Sequence, residues 1–108
     1  MIRFAFVILT FLVPSAVLGN DLVGQVAAVC VAQNATPETI DAQDRPAYCR
    51  CEAEIWAKNG TENELRGAMT FMTGDERHMN GAPYSYDDAL DFIVAQSDNV
   101  ARACDVEY

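Results

Sequence analysis

Four cysteines are the residues here whose type and spacing could do chemistry. Two of them lie one residue apart in Tyr48-Cys49-Arg50-Cys51, and Cys30 and Cys104 stand in separate segments on either side. A redox dithiol takes the form Cys-x-x-Cys at a helix start, in a partly exposed and electropositive setting. The spacing here is one residue too short, and Arg50 is the only local basic aid. A periplasmic redox protein, or one handling a soft metal such as copper, is the alternative this stretch raises. Cys49 and Cys51 would be its working pair, with His78-Met79, Met69 and Met72 as further soft donors for Cu(I). A zinc site asks for two closely spaced cysteine pairs or added histidines, and the chain has one histidine. The Cys-x-x-Cys-His of a c-type haem is absent. The structural reading is two disulfides, and with it come no cofactor and no metal.

Carboxylates are the second chemical possibility. Sixteen acidic residues guarantee chance pairs, such as Asp88 with Asp91 or Asp75 with Glu76. A useful general acid needs burial to raise its pKa. Nothing in the pattern buries these, so they read as a solvated face. No serine, histidine and aspartate arrangement and no glycine-rich phosphate loop stands out. The chain is therefore read as a non-enzyme with no catalytic residues. Asn34-Ala35-Thr36 and Asn59-Gly60-Thr61 match the glycosylation pattern, and Pro37 disfavours the first.

The elements that must position these residues begin after a leader. Met1-Ile2-Arg3 carries one positive charge, Phe4 to Val13 is apolar, Pro14-Ser15 breaks the run, and Val17-Leu18-Gly19 supplies small residues. That order is a secretory signal peptide over residues 1–19, too short in its apolar part to span a bilayer. Residues 20–108 are then a single domain. The net charge of −9 becomes about −10 once Arg3 is removed. Such a charge argues against nucleic acid or an anionic membrane as partner, and no stable membrane insertion is expected after cleavage. Scarce lysine and abundant alanine point to a GC-rich bacterial genome, so the destination is the periplasm or the extracellular space. A domain of this size has a small core and needs staples, which an even cysteine count in an exported chain supplies.

The fold expected is all-α, a small bundle of about four helices stapled by two disulfides. The first helix runs from Leu22 to Ala35, capped by Asn20 or Asp21 and stopped by Thr36-Pro37. The second opens at Asp44 or Arg45, with Pro46 in its first turn, and ends near Asn59 with Gly60 in the left-handed position. Tyr48, Cys51 and Ile55 form one apolar stripe on it, and Cys49, Ala53 and Trp56 form another, so this helix is central. Thr61 and Glu64 form a capping box before a third helix that buries Leu65, Ala68, Met69 and Met72 and ends at Gly74. Ser85 caps a fourth helix whose inner seam is Tyr86, Leu90, Ile93, Ser97, Val100 and Cys104.

Residues two apart on a helix point about 200° apart, so Cys49 and Cys51 do not pair with each other. Two pairings remain: Cys30–Cys49 with Cys51–Cys104, which is marginally preferred, and Cys30–Cys51 with Cys49–Cys104. Either one sets the fourth helix antiparallel to the second.

The function expected is that of a non-catalytic protein-binding or accessory module. Its partner is another protein, one with a basic surface. The interaction site expected is the loop of Arg77, His78, Met79, Pro83 and Tyr84, since long loops in small domains are often functional. A further alternative is an acid-stress chaperone that opens as its carboxylates lose charge.

Overall fold

The computed structural model describes residues 14–104, in which four α-helices and no strand occur. They are α1 (Pro14–Ala32), α2 (Arg45–Asn59), α3 (Glu62–Thr73) and α4 (Tyr86–Cys104), with 3-10 turns at Ala42–Asp44 and Glu76–Met79. Most of the leader segment and the last four residues lie outside the described residues.

Helix α1 does not start at a cap beside Asn20 or Asp21. Among the described residues it runs back through Gly19 to Pro14, and Asp21 instead accepts a hydrogen bond from Gln25 Nε2 at 2.7 Å. Its end comes three residues before Ala35. Asn34 turns left-handed with φ 56°. The Ala35 amide then donates to Cys30 O and the Asn34 amide to Val31 O. Together these two bonds form a Schellman closure that satisfies carbonyls the helix leaves open. Asn34, rather than Pro37, therefore stops α1.

Helix α2 carries Pro46 in its first turn, as its sequence requires. It is joined to α1 by the Cys30–Cys49 disulfide and to α4 by Cys51–Cys104. This is the marginally preferred of the two pairings left by helical geometry. Cys30 and Cys49 are fully buried. The two sulfur pairs leave α2 on different sides, as the 200° step demands.

Beyond α2 the chain turns at Gly60 and Thr61. Gly60 is extended, with φ −128° and ψ 172°, and does not take the left-handed form expected of it. Its lack of a side chain matters for another reason. A Cβ there would lie 2.6 Å from the Phe92 ring, so glycine admits the close approach of α4. The capping box is present: the Glu64 amide donates to Thr61 Oγ1 and the Thr61 amide to Glu64 Oε1. Gly74, at φ 75°, closes α3 in the left-handed conformation.

Helix α4 runs antiparallel to both α2 and α3 and braces the joint between them. Tyr86 stacks on Phe71 of α3 at 5.1 Å, and Ala89 lies against Gly67. Phe92 meets Gly60 and packs edge-on against Trp56 at 5.9 Å. Further along, Gln96 accepts from Asn59 Nδ2 at 2.9 Å, and Cys104 closes on Cys51. The core sits where these elements meet, from Val26, Ala53, Trp56, Leu65, Ala68, Met69, Phe92 and Val100.

Candidate interaction surface

The largest departure from the sequence pattern concerns which face of α4 is buried. Ala89, Phe92, Gln96 and Val100 face inward. Relative to the expected seam, the helix is turned by about 75° at 100° per residue. Both arcs of α4 are apolar, and Phe92 takes the inner position against Trp56. Val100 and Cys104 of the expected seam stay on the core, and its other four residues become a ledge. Tyr86 is 57% exposed, Ser97 is exposed, and Leu90 and Ile93 are half-buried. Val94, beside them, is 61% exposed and is the most exposed large apolar residue described.

The lower end of this ledge is aromatic. Phe71, half-buried, supports Tyr86. Tyr84 is half-buried too, and its phenol is pushed up by burial and by the neighbouring Tyr86 and Glu76. Pro83 stands exposed next to it. One border of the ledge is acidic: Asp87, Asp91 and Asp98 recur on one arc of α4 and all are exposed.

The five loop residues singled out from sequence divide here. Tyr84 and Pro83 join the aromatic corner. Arg77 is exposed but folded onto Asp75, with Nη2 2.8 Å from Oδ2 and Nε 3.0 Å from Oδ1. That contact holds the Asp75 carboxyl down at about 2. His78 is half-buried, and its carbonyl accepts from Arg66 Nη1 at 3.2 Å. The Arg66 side chain also binds Glu62 at 2.8 Å, which fixes the loop to α3. Met79 is only 4% exposed. Its side chain is buried in the floor of a small cavity that Gly67 also lines, so it offers almost no contact surface.

Of the other chemical possibilities, Cys49 and Cys51 are each bonded to a different cysteine. Among the described residues no group of three or more His, Cys, Asp or Glu side chains is placed to hold a metal ion. Asp88 and Asp91 are exposed, as is Glu76.

Glu52 is a different matter, and it escaped the sequence reading. It lies on the arc of α2 between the Cys49/Ala53/Trp56 stripe and the Tyr48/Cys51/Ile55 stripe. Its Oε1 is buried without a hydrogen-bond partner, and burial pushes the carboxyl up to about 7. The flanking stripes were the available signal, since a polar residue between two apolar arcs is carried inward with them.

Two shallow cavities flank α3. One, of about 500 Å³, is lined by residues including Leu22, Gln25, Ala57, Leu65 and Arg66. The other, of about 220 Å³, is lined by residues including Glu64, Met79, Pro83 and Asp88. No helix among the described residues is long and apolar enough to cross a membrane. The two disulfides are compatible with an oxidising compartment, extracellular or periplasmic. Comparison with family models, with curated proteins and with solved structures finds no match.

Proposed function

We propose that this chain is an exported, non-catalytic binding module. Its leader is removed near Gly19, it works in the periplasm, and it docks another protein along the outer face of α4. The observation that carries the reading is the ledge itself. An aromatic corner at Phe71, Tyr84 and Tyr86 continues into Leu90, Ile93 and Val94, and the last of these is 61% exposed. Isolated exposed apolar residues are ordinary, but a continuous row on one helix with an aromatic end has the make-up of an interface core. The disulfides support the reading. They clamp α2 to α1 and α4, so the face of α4 is presented without an ordering cost. The acidic surface adds attraction toward a basic partner.

Affinity purification from cells that make the protein, run in parallel with the wild type and with Val94→Asp, tests this. The expected result is a protein recovered with the wild type and lost with the variant. Equal recovery by both chains, or no recovered protein with either, rejects the reading. Val94 is exposed, so the variant is expected to keep the fold, which circular dichroism checks.

A further inference from the structure

We infer that the element received by the α4 ledge is an amphipathic helix with a basic flank. This rests on the binding-module reading above and adds the chemistry of the partner.

The ledge is a ridge on a convex helix. Tyr86, Leu90, Val94, Ser97 and Ala101 recur at three- and four-residue steps with Ile93 beside them, the i±3 and i±4 rows that interlock with a second helix. The ridge covers fifteen steps of α4, about 22 Å at 1.5 Å per residue, a length matched by roughly four turns of a partner. A strand would have to add to a sheet edge, and no strand occurs among the described residues.

Charge then decides the flank. Asp87, Asp91 and Asp98 border the ridge along one side. No Lys or Arg lies on α4 before Arg102, whose guanidinium donates to Asn99 Oδ1 at 3.0 Å. A helix laid on the ridge therefore meets an unneutralised acidic row along its edge. Lysine or arginine on that edge gains attraction, and aspartate or glutamate is repelled. A second copy of this chain is disfavoured for the same reason. An antiparallel two-fold pairing sets the acidic row of each copy beside that of the other, on chains that each carry a net charge of −9.

The probe is a designed peptide of about 18 residues with leucine on one face and lysine on the other, compared with a peptide of the same apolar face carrying glutamate. Both are titrated into the full disulfide-bonded chain and followed by amide NMR shifts. The lysine peptide is expected to bind one to one, with shifts clustered at Tyr86, Leu90, Ile93 and Val94. The glutamate peptide is expected to bind at least tenfold more weakly. Asp91→Lys is expected to weaken the lysine peptide about tenfold, whereas Glu38→Lys, the same charge change in the α1–α2 connection, leaves it within about twofold. Equal binding of the two peptides overturns the inference, as do equal losses from the two substitutions or shifts scattered over the surface. Concentration-dependent dimerisation of the chain alone, lost with Val94→Asp, also overturns it and assigns the ledge to a second copy. If neither peptide binds while a partner is still recovered through Val94, the basic-helix inference fails and the binding-module reading stands. If both experiments fail, both fall.

Discussion

Glu52 makes the stability of this protein depend on pH in an unusual direction. Its carboxyl lies near 7 in the fold against an ordinary value of 4.5, because burial penalises the charged form. Below pH 4.5 both folded and unfolded chains hold the proton, and Glu52 imposes no penalty. Between 4.5 and about 7 the unfolded chain releases the proton while the folded chain keeps it. Stability therefore falls as pH rises through that window and levels off above it. A shift of this size corresponds to a ceiling of about 3 kcal/mol at 1.36 kcal/mol per pH unit. The residue keeps some solvent exposure, and screening lowers the expected figure to about 2 kcal/mol.

Glu52→Gln removes the titration while keeping the shape. Urea unfolding with the disulfides intact can be followed by fluorescence of Trp56, the single tryptophan, which is 3% exposed. The variant should match the wild type near pH 4.5 and exceed it by about 2 kcal/mol at pH 8. Subtracting the two chains at each pH cancels the other carboxylates. A difference that stays constant from pH 4.5 to 8 would refute a buried, unpartnered Glu52. Asp75 works the other way. Arg77 holds its carboxyl at about 2, so its contribution is present above the ordinary 3.8 and is lost only as pH falls toward 2. Neither group therefore loses its stabilising contribution in mild acid.

The two disulfides close loops of 19 and 53 residues, for which loop entropy gives about 3 and about 4 kcal/mol. Replacing Cys51 and Cys104 together by alanine should therefore cost more in urea unfolding than replacing Cys30 and Cys49. A non-reducing peptide map showing Cys30 joined to Cys51 would contradict the pairing. Gly60→Ala should cost about 1–3 kcal/mol, since its Cβ meets the Phe92 ring at 2.6 Å. Adding Phe92→Leu should make that alanine cheaper, and a double-mutant cycle measures the coupling. An uncoupled pair would show that Gly60 is set by local backbone preference instead.

Much of the architecture was legible in the sequence because local signals carried it. The Thr61/Glu64 box, Pro46, Gly74 and Ser85 mark helix ends through bonds made within a few residues. The angular step between Cys49 and Cys51 limits the pairings by geometry alone. What the sequence concealed depends on contacts between distant residues. The rotation of α4 follows from Phe92 meeting Trp56, and periodicity cannot choose between two apolar arcs on one helix. Gly60 looked like a helix terminator, but its role is to admit a ring from a segment 32 positions later. Met79 looked available in a polar loop because the turn that folds it onto α3 depends on Arg66 reaching the His78 carbonyl. The interaction site consequently moves from the loop as a whole to its Pro83-Tyr84 end and onto the exposed arc of α4.

The central claim is that this arc of α4 contacts a partner. A photo-crosslinking residue placed in turn at Tyr86, Val94 and Ala101 along the ledge, and at Ala95 and Ala103 away from it on the same helix, tests it in cells that make the protein. All five positions are exposed. Crosslinks to one protein from 86, 94 and 101, with none from 95 and 103, are the result this structure implies. Crosslinks from all five alike, from 95 and 103 only, or from none would contradict it.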